Sequence, residues 1–135
     1  MSARILIVDD DIAVTRILKR TFELAGYAAE AVGDGRHALT ALARQRFDAM
    51  VCDIEMPNMT GRELCRRLAS EGPYLPRCVF IVTSHTEDEE RGWIGEFSNI
   101  ALIEKPVGPK QLLRRVARGL LEGADGEPGA LRGAA

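Results

Sequence analysis

Five short apolar runs alternate with five helical patterns along the chain, and this alternation constrains the fold more than any other feature of the sequence. The runs are continuous in apolar character, as at residues 5–8 and 78–82, which is typical of strands buried on both faces of a parallel sheet. Between the runs, apolar residues recur at spacings of three and four, the pattern of one helix face. The predicted fold is therefore a doubly wound α/β domain with helices on both faces of a five-stranded parallel sheet.

The chain length of 135 residues suits one domain. We place this domain at residues 1–121 and expect residues 122–135, which are rich in glycine and alanine, to form a flexible tail or linker. The net charge of −2 gives no reason to expect a nucleic-acid or membrane partner. The first apolar run is too short for a signal sequence or a membrane span. These features predict a cytoplasmic protein without direct nucleic-acid contact or membrane insertion.

Cysteine usage points to the same compartment. The three cysteines, Cys52, Cys65 and Cys78, lack the spacing of a zinc site, and their odd number argues against a disulfide scaffold. We expect them to be free and mostly buried, as in proteins of a reducing cytosol.

Polar side chains follow four of the five predicted strands. Asp9 and Asp10 follow the first strand, Asp53 the third, Thr83 the fourth and Lys105 the fifth. Ligands of open α/β sheets bind beyond the carboxyl ends of the strands, so we expect these five side chains to share one rim of the sheet.

Three carboxylates in one cleft repel each other, at a cost on the order of 1–4 kcal/mol for each pair 4 Å apart. Lys105 supplies one compensating charge, and a divalent cation that prefers oxygen ligands, Mg²⁺ or Mn²⁺, would supply two more. A carboxylate can attack phosphorus and form an acyl phosphate. Asp53 stands alone after a central strand and is the candidate nucleophile, whereas Asp9 and Asp10 are candidate metal holders. The Thr83 hydroxyl would donate a hydrogen bond to the phosphoryl group.

Four short motifs occur in order along the chain. They are Ile7-Val8-Asp9-Asp10, the run from Val51 to Pro57 followed by Gly61, Val82-Thr83-Ser84, and Glu104-Lys105-Pro106. Together, at these spacings, they resemble the receiver domain of the response regulators of bacterial two-component systems, the CheY-like family, over about residues 4–121.

The resemblance implies roles for individual residues. Asp53 would be the phosphoacceptor, contacted after phosphorylation by Thr83 and Lys105. Mg²⁺ would be held by Asp10, Asp53 and the main-chain carbonyl of Glu55, with Asp9 acting through water. The Lys105–Pro106 bond is often cis in relatives.

The resemblance also implies a fold and partners. The sheet would have the flavodoxin-like order 2-1-3-4-5. The donor would be a phosphohistidine on a sensor histidine kinase or phosphotransfer protein, and acetyl phosphate could substitute for it. The output would reach a downstream protein through the last two helices and strand five, by a shift between two states. Self-phosphorylation and autodephosphorylation would be the only reactions, without turnover of an external substrate.

Several positions depart from the family pattern or tune it. Leu102 stands three residues before the lysine, where relatives carry an aromatic ring that rotates as the threonine hydroxyl moves; leucine has no ring to swing. Glu55 and His85 stand at positions that influence water access to the acyl phosphate, and we expect them to set its lifetime. Trp93 lies in the least regular helix pattern and is expected to be partly buried.

Two other functions remain open at this point. One is a receiver-like module that binds partners without phosphorylation, against which the intact Asp10, Asp53, Thr83 and Lys105 argue. The other is a metal-dependent phosphohydrolase with Asp53 as nucleophile and Glu55 as a second acid, although the acidic pair after the first strand fits that class poorly.

Overall fold

A computed structural model describes residues 3–84 and 88–122, except for the side chains of residues 88 and 89. Strands and helices alternate along the described residues. They are β1 (Arg4–Val8), α1 (Ile12–Leu24), β2 (Ala28–Val32), α2 (Gly35–Arg44), β3 (Ala49–Asp53), α3 (Gly61–Glu71), β4 (Cys78–Thr83), α4 (Asp88–Ile94), β5 (Ile100–Glu104) and α5 (Pro109–Glu122). The strands form one parallel sheet in the order β2-β1-β3-β4-β5, which confirms the predicted fold and strand order.

The continuous apolar runs supply two separate cores. Successive strand residues point to opposite faces of a sheet, so Ile5 and Ile7 pack in one buried cluster while Leu6 and Val8 pack in the other. The first cluster is completed by residues of α1 and α5, among them Leu18, Phe22, Leu112 and Val116. The second is completed by residues of α2, α3 and α4, among them Leu42, Leu64, Leu68 and Trp93. Helices therefore cover both faces of the sheet.

Side-chain caps fix where the helices around the site begin. The Asp11 carboxylate accepts hydrogen bonds from the backbone N–H groups of Ala13 and Val14 at the start of α1. At the start of α3, Thr60 and Glu63 form a reciprocal capping box. Such caps satisfy backbone donors that a helix leaves unpaired at its first turn, and they fix the start of α1 at Ile12 and of α3 at Gly61.

One prediction falls outside the described residues, and the structure corrects another. Glu122 is the last residue of α5, and the tail predicted beyond it lies outside the described residues. Trp93 has only 2% of its surface exposed, so it is more deeply buried than expected. Among the described residues, no helix combines the length and apolar character that crossing a membrane requires.

Candidate functional site

The carboxyl ends of β1 and β3 bring three carboxylates together. Asp9, Asp10 and Asp53 each offer an oxygen, and these oxygens lie within 4.8 Å of one another. Asp53 is the last residue of β3 and is 8% exposed, Asp9 is half-buried and Asp10 is exposed. The cluster therefore runs from a buried carboxylate outward to solvent.

Both oxygens of Asp53 have hydrogen-bond partners. Lys105 Nζ lies 3.2 Å from Asp53 Oδ2, and the backbone N–H of Glu55 donates to Asp53 Oδ1 at 3.1 Å. Hydrogen bonds to an ionised group are stronger and more directional than neutral ones. Lys105 thus supplies the compensating charge predicted from the sequence, and it does so on the buried carboxylate.

The sheet itself holds the first residue after three of its strands. The backbone N–H of Asp9 donates to a β2 carbonyl at 3.1 Å, that of Ile54 to a β4 carbonyl at 3.1 Å, and that of Lys105 to the carbonyl of Thr83 at 2.8 Å. Each bond extends a parallel ladder by one residue beyond a strand. The main chain carrying the site is therefore positioned by strand register, with little dependence on the loops that follow.

Burial and neighbouring charges act on Asp9. Burial raises the pKa of this carboxyl, and the Asp53 and Asp10 carboxylates add to the rise. The backbone N–H of Asp11, which donates to Asp9 Oδ1 at 2.9 Å, and the Lys105 ammonium oppose it and lower the pKa. Despite Lys105, the ionised cluster carries excess negative charge, which a bound cation would relieve.

Thr83 and Lys105 come from adjacent strands. Thr83 ends β4, is 1% exposed, and pairs in register with Glu104, the residue before Lys105. The Lys105–Pro106 peptide bond is cis, as the resemblance implied, and Gly72–Pro73 is a second cis bond that was not predicted.

Gly61 is required by close packing behind the carboxyl end of β3. A Cβ atom at this position would lie 3.1 Å from the Asp53 carbonyl oxygen, 3.1 Å from Ile54 Cα and 3.4 Å from Cys52 Sγ. The backbone N–H of Gly61 also donates to the Ile54 carbonyl at 3.0 Å. In the sequence Gly61 is distinguished only as part of a motif. These close contacts explain why the position needs a residue without a Cβ atom.

An apolar cavity of about 520 Å³ opens on one side of Asp53, between α1 and the start of α5. Its walls include Val14 and Ile17 of α1, and Val107 and Leu112 near and in α5. Val14 and Ile17 belong to the apolar spacing of α1 but are not buried: Val14 is 38% exposed and Ile17 is 54% exposed.

A more polar groove of about 920 Å³ lies on the other side of the site, lined partly by α3. Asp10, Glu55, Arg62 and Arg66 contribute to its walls. Glu55 is exposed there. Arg62 had not been singled out in the sequence, since nothing in its spacing distinguishes it from an ordinary surface arginine.

Of the two other positions expected to tune the switch, the structure describes only Leu102. Leu102 lies in β5, is partly buried, and packs against the core cluster that contains Trp93. His85 lies outside the described residues.

Comparison with known proteins places this geometry in a family. Residues 5–117 match the model of the family described as the response regulator receiver domain. The chain belongs to the response-regulator receiver family. Receiver domains act in two-component phosphorelay signalling, and this membership supports the phosphorelay interpretation over a phosphohydrolase or a phosphorylation-independent module.

Relatives extend over nearly all of this receiver domain. The response regulator MprA of Mycolicibacterium vanbaalenii is 38% identical over 135 residues, which is 100% of this chain and 57% of MprA. The chain therefore spans little more than half the length of this relative. The chemotaxis protein CheY4 of Vibrio cholerae is 31% identical with a TM-score of 0.76, covering 87% of this chain and 98% of CheY4. The BeF3-activated receiver domain of Thermotoga maritima DrrB is 26% identical with a TM-score of 0.73, covering 90% of this chain and 99% of that domain.

Proposed function

We propose that this receiver domain accepts a phosphoryl group on Asp53 in a Mg²⁺-dependent reaction and thereby switches a partner-binding surface. The observation that carries the proposal is the environment of Asp53. This carboxylate is nearly buried, is aligned by Lys105 at 3.2 Å, and shares a 4.8 Å cluster of oxygens with Asp9 and Asp10.

The donor set fits a hard divalent cation. A site with a few closely spaced carboxylate oxygens suits Mg²⁺ or Mn²⁺. Bound Mg²⁺ usually keeps several waters, so it needs few protein ligands. Asp10, Asp53 and the main-chain carbonyl of Glu55 would hold the ion, with Asp9 acting through water. When bound, the ion supplies positive charge opposite the phosphoryl oxygens.

Asp53, Lys105 and Thr83 have separate roles in the transfer of the phosphoryl group. An oxygen of Asp53 forms a bond to phosphorus while the bond between phosphorus and the donor's imidazole nitrogen breaks, so the phosphoryl group passes from nitrogen to oxygen. Lys105, which pairs with Asp53 beforehand, would then contact a phosphoryl oxygen. The hydroxyl of Thr83 would donate to another, which draws the end of β4 toward the site. The only reactions are acceptance and autodephosphorylation, without turnover of an external substrate.

The donor is a phosphohistidine on a sensor histidine kinase or phosphotransfer protein. The exposed apolar side chains beside the site support a surface for it on α1, because Ile12 is 67% exposed and Ile17 is 54% exposed. Exposed apolar groups that cluster near a functional site commonly mark a protein interface. Acetyl phosphate would use the same chemistry without this contact.

The output surface is formed by α4, β5 and α5, which follow Thr83 in the chain. Leu102 lies in this region, and Glu55 and His85 set the lifetime of the acyl phosphate. The receiver occupies residues 1–121, and residues 122–135 serve as a tail or linker. The three free, buried thiols are consistent with a reducing cytoplasm.

The test is incubation of the full chain with acetyl phosphate and Mg²⁺, followed by intact-mass measurement. We expect a single phosphoryl adduct that is lost with EDTA and in Asp53→Asn. Asp34→Asn is the matched control, because asparagine also caps helices and Asp34 lies outside the site. A folded wild-type protein that forms no adduct would refute the proposal and favour a phosphorylation-independent binding module.

A further inference from the structure

The indole of Trp93 carries a buried N–H donor that has no acceptor among the described residues. Trp93 is the single tryptophan of the chain and is 2% exposed. Its ring packs in the core cluster and meets Phe97 edge-to-face, with ring centroids 6.2 Å apart. Within the described part of the chain, Nε1 has no hydrogen-bond partner. Buried polar groups are nearly always hydrogen-bonded, so an exception calls for a physical reason.

The position of the indole relates it to the site. Trp93 lies on α4, a helix of seven residues that packs against β5. Leu102 of β5 packs against the same cluster as Trp93 and pairs in register with Ile81 of β4, two residues before Thr83. A movement of the Thr83 end of β4 would therefore reach the indole through the β4–β5 pair and Leu102.

We propose that Trp93 is the aromatic side chain whose repacking accompanies phosphorylation in this receiver, since Leu102 has no ring to rotate. In the phosphorylated state α4 shifts, and the indole N–H gains an acceptor or water. This inference rests on the proposed function, because it requires two states that differ in phosphorylation of Asp53.

The consequence is a measurable coupling between the indole N–H and the site. An unsatisfied N–H destabilises only the state in which it is unsatisfied. Removing that N–H without changing the shape of the ring should stabilise the unphosphorylated state and disfavour the activated one. A ligand that binds the activated state should then bind about tenfold more weakly.

Beryllium trifluoride with Mg²⁺ is a suitable probe because it mimics a phosphoryl group on a carboxylate. The full chain would be compared with a form in which Trp93 is replaced by benzothienylalanine, which has sulfur in place of the indole N–H. We expect about tenfold weaker beryllium trifluoride binding and a higher urea midpoint without the ligand. In the wild-type protein, the emission spectrum of Trp93 should shift on binding.

Two further variants complete the comparison, one that removes the N–H together with part of the ring and one that changes packing alone. Trp93→Phe also removes the N–H and should weaken binding in the same direction. Ile94→Val removes a methylene from the next buried residue of α4 and should leave binding within about twofold.

The outcomes distinguish this inference from the proposed function. Equal affinity of the wild-type and benzothienylalanine proteins, with Mg²⁺-dependent binding intact in both, would overturn the role of Trp93 and leave the proposed function standing. Weakening by Ile94→Val to the same extent as by benzothienylalanine would also overturn it, since packing alone would then explain the effect. A folded wild-type protein that does not bind beryllium trifluoride would refute both proposals.

Discussion

Replacing Gly61 by alanine tests the close packing behind Asp53. The added Cβ would meet two backbone atoms at 3.1 Å, the Asp53 carbonyl oxygen and Ile54 Cα. Neither atom can rotate away, because Asp53 is the last residue of β3 and Ile54 is bonded to β4 through its backbone N–H. The third atom, the buried Cys52 sulfur, would lie 3.4 Å from the added Cβ. The Cys52 thiol donates a hydrogen bond to the Asp53 carbonyl at 3.3 Å, which restricts its movement.

The magnitude follows from these contacts. Overpacking a well-packed site costs about 1–3 kcal/mol, and the preference of a helix for alanine over glycine returns less than about 1 kcal/mol. We therefore expect Gly61→Ala to lower the free energy of unfolding by about 1–2 kcal/mol. Gly92→Ala is the matched control, because Gly92 lies within α4 and an added Cβ there would meet no atom of another described element within 4 Å. The free energy of unfolding of Gly92→Ala should be higher than that of the wild-type protein by about 0.5–1 kcal/mol.

Urea unfolding followed by circular dichroism would measure both changes. With a denaturant dependence of about 2 kcal/mol per molar urea, the midpoints of the two variants should differ by about 1 M. If Gly61→Ala were as stable as Gly92→Ala, the packing argument for this glycine would be refuted.

Three further predictions concern other features of the molecule. Burial raises the pKa of Cys65 to about 12, so Ellman's reagent should modify the folded protein far more slowly than the urea-unfolded protein; rapid reaction of all thiols in the folded state would contradict this. The backbone N–H of His37 lowers the pKa of Asp34, the cap of α2, so Asp34→Ala should cost about 1 kcal/mol of unfolding free energy at pH 7. Because the folded-state pKa is the lower one, this cost is present above about pH 4 and should disappear as the pH falls through that pKa; an undiminished difference at pH 2 in urea titrations would count against it. Lys105→Met removes the ammonium 3.2 Å from Asp53 and should tighten Mg²⁺ binding several-fold at low ionic strength while slowing acceptance from acetyl phosphate; weaker Mg²⁺ binding by calorimetry would be the contrary result.

Much of the fold and of the site could be predicted because both depend on local pattern. Apolar runs of strand length located the strands, and the site side chains lie at or just beyond the strand ends, as Asp53 is the last residue of β3. Parallel strands bring their carboxyl ends to one edge, so sequence position alone indicated that Asp9, Asp53 and Lys105 would meet. The 3.2 Å pairing of Lys105 with Asp53, in contrast, depends on side-chain conformation, which spacing does not specify.

Local pattern does not show which apolar surfaces are covered by other elements. In α1 two apolar stripes overlap: Thr15, Leu18 and Phe22 are buried, whereas Val14 and Ile17 of the neighbouring stripe are exposed. Periodicity identifies residues that share a helix face, but it cannot show how wide a strip the sheet and α5 will cover.

The burial of Trp93 was underestimated for a related reason. Its helix has seven residues, and the indole lies in one buried cluster with residues distant in sequence, such as Leu68 of α3. The local sequence pattern around Trp93 cannot predict such tertiary contacts.

The ladder bonds that extend past β1, β3 and β5 have a consequence for how such a domain can diversify. Because strand register carries the reacting groups, the outward faces of α1 and α5 are left free to accumulate substitutions without disturbing the chemistry. Exchanging exposed α1 residues between paralogues should therefore redirect which signalling pathway a receiver joins while its intrinsic reactivity with small donors stays the same. Insulation of this kind lets duplicated copies acquire separate partners by a few surface changes, without passing through inactive intermediates.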